Sequence, residues 1–128
     1  MKYLTAEQVL FIHSRLIDET GGLHGIRDTG LLLSAVERPK SCFGDRELYP
    51  DIFFKSAALM ESLIKNHPFI DGNKRTAITS SAIFLQVNGH NLKASQEELE
   101  RFTLKMAVEK VSLEDTAKWF RKHTNYRS

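Results

Sequence analysis

Nine consecutive residues, His67-Pro68-Phe69-Ile70-Asp71-Gly72-Asn73-Lys74-Arg75, concentrate the unusual chemistry of this chain. They bring together an imidazole, a carboxylate, a Gly-Asn turn and two cations, and each type answers a separate requirement of phosphate chemistry. Gly72 and Asn73 readily adopt unusual backbone angles, so they can turn amide N–H groups toward one point just before a helix. That helix adds the positive end of its macrodipole and the free amides of its first turn. Lys74 and Arg75 sit in that first turn, where the dipole mildly disfavours cations, which points to an external anion as their reason for being there.

Asp71 stands beside this cationic nest, where a hard divalent ion bridging phosphate oxygens needs a carboxylate ligand. Magnesium is the natural candidate, because one carboxylate with phosphates and waters completes an ordinary shell for it. His67 lies four residues upstream, and imidazoles titrate near neutrality, so it is suited to take a proton from an attacking hydroxyl. Pro68 fixes the backbone after the histidine, and Phe69 has the bulk to pin the loop into a core. The Asn73 side chain has two open roles: its amide could donate to a phosphate, or its carbonyl oxygen could cap the next helix. Taken singly, each residue has an ordinary structural explanation; the combination within one short bend does not.

Two apolar helices must hold this bend. The preceding one follows Asp51 and carries Ile52, Phe53, Ala57, Leu59, Met60, Leu63 and Ile64, a stripe wide enough for burial on more than one side, and it stops at Asn66-His67-Pro68. The following one runs from Lys74 to Asn88 with Gly89 as its terminator and small residues along one side. Upstream, Thr5-Ala6-Glu7-Gln8 has capping-box spacing and opens a helix over Ala6 to Glu19 that Gly21-Gly22 ends. Asp28 caps a shorter helix through Leu31, Leu32, Leu33, Ala35 and Val36, closed by Pro39. Arg27 beside it reads as a surface ion-pair residue. Residues 40–50 have neither helical nor strand period and read as a mobile loop or flap. Ser95 opens a helix by a second capping box and Ser112 a last one, with Trp119 and Phe120 as core residues. About six helices, no repeats and no sustained alternation give an all-α bundle in one domain spanning 1–128, any strand being confined to a small hairpin in the flap.

At 128 residues with 41% hydrophobic side chains, a core can form without disulfides or a structural metal. Cys42 is alone, which suits a reducing cytosol, and no apolar run is long enough to span a bilayer, so a cytoplasmic protein without a membrane partner is expected. Net charge is +2, but residues 101–128 hold seven Lys/Arg against three Asp/Glu. Arg101, Lys105, Lys110, Lys118, Arg121, Lys122 and Arg127 are spread at helical spacing, which favours a solvated face over nucleic-acid binding. His13, His24, His90 and His123 lack the paired spacing of a zinc site and read as structural or surface residues.

The segment HPFIDGNKRTA resembles the signature of the Fic/Doc family. It is more similar to the Doc branch, the toxins of toxin–antitoxin pairs, because Lys74 stands where Fic enzymes usually carry a second glycine, and Ile78 where those AMP transferases place another arginine. GGLHGIRDTGLLLSAVERP, residues 21–39, resembles the segment preceding the flap in Doc-like proteins. The resemblance implies transfer of the terminal phosphate of ATP to a threonine or serine hydroxyl of a translation factor, elongation factor Tu, halting protein synthesis. It assigns His67 as base, Asp71 as ligand of magnesium, and Gly72, Asn73, Lys74 and Arg75 as phosphate holders, Lys74 and Arg75 also assisting transfer. The family's self-inhibiting helix, with Ser or Thr followed four residues later by Glu, has no counterpart in the sequence, so restraint is expected from a separate antitoxin. AMP transfer and a catalytically idle partner-binding or nucleic-acid-binding module are the alternatives.

Overall fold

The computed structural model describes residues 1–126. Among them six α-helices follow one another as α1 (Ala6–Thr20), α2 (Thr29–Glu37), α3 (Ile52–Asn66), α4 (Asn73–Val87), α5 (Gln96–Val108) and α6 (Leu113–Lys122). The all-α bundle expected from the periodicity is present, with helix boundaries within a residue or so of those expected. Thr5 and Ser95 both form complete capping boxes, with Gln8 and Glu98 returning a bond to the cap backbone.

The wide apolar stripe of α3 makes it the central rod, packed against α2, α4, α5 and α6. Leu59, Met60 and Leu63 of α3 are buried with Ala77, Phe84 and Leu85 of α4 and Phe120 of α6 in one continuous core. Thr76, Ala77, Ser80 and Ser81 form the buried side of α4, and their small size lets it lie close to α3. Trp119 stacks on Phe102 at 3.9 Å and so joins α6 to α5.

Residues 40–50 do contain a hairpin, β1 (Cys42–Phe43) paired antiparallel with β2 (Arg46–Glu47). Its base is tied to α3 by Lys55, a buried lysine whose Nζ donates to the carbonyl of Pro39 at 3.0 Å and to Glu47 at 3.1 Å, close to the ring of Tyr3. A second strand pair corrects the expectation that strands are confined to this hairpin: β3 (His90–Leu92) lies antiparallel to β4 (Thr124–Tyr126). Three-residue strands are too short to display alternation, and their partners come from distant parts of the chain. No helix is long and apolar enough to cross a membrane among the described residues. Of the cations in the last quarter, Arg101, Lys118 and Arg121 pair with Glu97, Glu114 and Asp51, and Arg127 lies outside the described residues.

Candidate functional site

The bend between α3 and α4 is held from both sides. From within, Phe69 is buried, and the Asn73 side chain closes a loop on it, accepting from its N–H at 3.0 Å and donating to its carbonyl at 2.9 Å. Asn73 therefore takes neither role left open by its sequence. Its amide group folds back on the residue four before it and is spent on loop shape, while its backbone N–H has no acceptor among the described residues. From outside, the linker between α1 and α2 lies along the bend: Ile70 N–H donates to Gly25, and the N–H groups of Arg27 and Asp28 donate to Pro68.

His13 belongs to the buried face of α1 and supports the bend from below. Its ring stacks on Phe69 at 3.9 Å and nearly parallel, and Nε2 donates to the carbonyl of Asp71 at 2.7 Å. Burial pushes the His13 pKa below its ordinary value, which favours the neutral ring, and Nδ1 has no partner among the described residues. The structural reading of His13 holds; its position in the apolar period of the first helix is the signal for it.

His67 ends α3 as an exposed residue in the left-handed conformation, φ 48° and ψ 59°. It is the only non-glycine residue with positive φ among those described, a conformation that costs about 1 kcal/mol. Its imidazole makes no hydrogen bond with any described residue, which leaves a nitrogen free to receive a proton. Arg27 donates Nε to the His67 carbonyl and Nη2 to the Asn66 carbonyl, each at 2.6 Å. The ion pair expected for Arg27 is absent among the described residues, because the neighbouring Asp28 is occupied in capping α2 through the N–H of Leu31.

Asp71 is anchored by two backbone amides, Leu23 N–H to Oδ2 at 3.1 Å and Gly72 N–H to Oδ1 at 2.8 Å. These bonds, with Arg75 nearby, hold its pKa below the ordinary carboxylate value. Each oxygen retains a further lone pair, so the carboxylate suits a divalent cation bound through one oxygen. No three His, Cys, Asp or Glu residues converge among those described, so a cation here would draw its other ligands from water and substrate. Gly22 permits the approach of Leu23 to Asp71, since a Cβ at Gly22 would stand 2.7 Å from Oδ2.

Gly72 caps α4 at φ 78° and supplies no side chain; its own N–H is taken by Asp71. The amides of Asn73, Lys74 and Arg75 have no acceptor among the described residues. The amides left free at the bend are therefore those of the helix's first turn, and Gly72 contributes its conformation. Lys74 is exposed and unpaired among the described residues. Arg75 reaches across to the end of α1, donating to the Thr20 hydroxyl and to the Gly21 carbonyl at 3.3 Å. Both cations also border a groove of about 500 Å³ between α1, α4 and α5, whose walls include Leu16, Ile78, Leu99 and Leu104.

The Fic/DOC family profile matches residues 3–85, about two-thirds of the chain and all of this site. This chain belongs to the Fic/Doc family. It is 43% identical over 93 residues to a protein of Mycolicibacterium smegmatis named Toxin Doc, a match covering 73% of this chain and 69% of that one. It is 30% identical over 122 residues to one of Escherichia phage P1 named Protein kinase doc, with 95% of each covered. The matched region includes Leu23, Arg27 and His13, the supports that lie outside the nine-residue bend.

Proposed function

We propose that this Fic/Doc protein is a Doc-type toxin that moves the terminal phosphate of ATP to a threonine or serine hydroxyl of a translation factor, with elongation factor Tu as the target implied by resemblance. The observation that carries the reading is the uncapped start of α4: three helix-start amides without a capping side chain, flanked by Lys74 and Arg75 and preceded by an anchored carboxylate and a free imidazole. The names of the two relatives, one a toxin and one a protein kinase, favour phosphate transfer over AMP transfer.

In this reading the γ-phosphate oxygens accept from the amides of Asn73, Lys74 and Arg75, while the side chains of Lys74 and Arg75 neutralise charge on the transferring group. The acceptor oxygen forms a bond to the γ-phosphorus as the bond to the β,γ-bridging oxygen breaks. ADP departs, and the hydroxyl proton passes to the imidazole of His67. Magnesium bound at Asp71 would offset negative charge on the phosphate oxygens. A cytoplasmic setting follows from the target, and restraint would come from an antitoxin protein.

Incubation of the protein with magnesium, elongation factor Tu and either γ-labelled or α-labelled ATP tests the reading. Label on the target from the γ-labelled nucleotide alone is expected, with loss in His67→Ala and on addition of EDTA. Label from α-labelled ATP identifies AMP transfer instead. An unlabelled target in both arms leaves a partner-binding module.

A further inference from the structure

We infer that Arg27 is a positioning residue that fixes the backbone of His67 and through it the imidazole; the inference rests on the reading of His67 as the base. The last turn of α3 leaves carbonyls without intrahelical donors, and the usual remedy is a pair of amides from the residues after the cap. Here the residue after His67 is Pro68, which has no N–H, so that remedy is closed. The missing donors come from Arg27, nearly forty residues earlier in the chain. Its fork grips the Asn66 and His67 carbonyls at 2.6 Å each, and its own N–H holds the Pro68 carbonyl at 2.7 Å. One residue thus takes three successive carbonyls on either side of the histidine's rotatable backbone bonds.

A cap needed for stability alone would place glycine at 67, where positive φ costs nothing. A histidine held there at φ 48° by an external cation serves the direction of its side chain. Arg27 is itself exposed and outside the core, so its replacement leaves the packing of α3 intact. The cation also complements the negative end of α3, which a neutral substitute does not.

The experiment compares Arg27→Gln and Arg27→Lys with wild type by NMR of protein labelled at histidine, with thermal melting as the folding control. The His67 Cα and Cβ shifts report its left-handed backbone. They are expected to move toward averaged values in Arg27→Gln and to return part of the way in Arg27→Lys, with His24 and His90 unmoved. In the transfer assay Arg27→Gln lowers kcat roughly 10- to 100-fold with the KM for ATP unchanged, since only the base is displaced. Unmoved His67 shifts in a folded Arg27→Gln protein overturn the inference, as do moved shifts with wild-type kcat. Wild-type transfer by His67→Ala instead removes the reading of His67 as base, and the NMR comparison then still decides whether Arg27 fixes its backbone.

Discussion

Among the described residues, five α-helices begin with a side chain bonded to their first amides, and one does not. Thr5, Asp28, Asp51, Ser95 and Ser112 cap α1, α2, α3, α5 and α6, whereas α4 starts at Gly72 with nothing but backbone. First-turn acidic residues occur in three of the five capped helices, whereas α2 and α3 carry their negative charge on the caps Asp28 and Asp51 themselves. Glu7 sits in the first turn of α1, Glu97 and Glu98 in that of α5 and Glu114 and Asp115 in that of α6, while α4 opens with Lys74 and Arg75. A side-chain cap contributes about 1 kcal/mol. The one described α-helix without a side-chain cap is the one at the bend, and under the proposed function its free amides and two cations are available to an anion.

Giving α4 the cap it lacks breaks the comparison most directly. Gly72→Asp places a carboxylate over the three amides, and its Cβ meets Ile17 Cδ1 at 3.0 Å in a backbone conformation of φ 78°. ATP affinity measured by calorimetry is expected to fall at least 100-fold, and Gly72→Asn, which shares the strain without the charge, is expected to lose less. Equal losses would mean that strain, not anion competition, governs the site. Next in size is Asn73→Ala, which frees both backbone groups of Phe69. A stability loss of about 2 kcal/mol in urea unfolding is expected, with transfer reduced as the bend loosens.

The capped end of the comparison is sharpened at α5. Ser95→Ala should cost about 1 kcal/mol of stability and leave kcat unaltered, because Ser95 lies outside the bend between α3 and α4. The smallest effect is its pH dependence. Bonds from Ser95 hold the Glu98 pKa below its ordinary value, so the stabilisation is complete above the ordinary carboxylate range and is lost as pH falls through the lowered value. Unfolding curves from pH 6 to pH 3 should therefore fall less steeply in Ser95→Ala than in wild type.

What is legible in the sequence is local. Thr5 with Gln8 and Ser95 with Glu98 announce their helices because the bonding partners are three residues apart, and the Gly21-Gly22 and Pro68 breaks act on adjacent backbone. The nine-residue bend is legible for the same reason. What escapes is long-range. Arg27 shows one faint sign, no acidic residue within helical reach apart from an aspartate already used as a cap, but nothing local says that its partners are Asn66 and His67. The β3–β4 pairing and the Leu23 N–H bond to Asp71 are likewise set only when the helices pack. Asn73 escapes even at short range, because whether its side chain turns forward to the helix or back to Phe69 depends on the buried position of that ring.

The buried ammonium of Lys55 joins three parts of the chain that are far apart in sequence: the segment before α1 at Tyr3, the hairpin and its approach at Glu47 and Pro39, and the central rod. Replacing Tyr3 is thereby also an experiment on the hairpin. A ring lost at position 3 would be felt at Glu47, although the two residues belong to no common element.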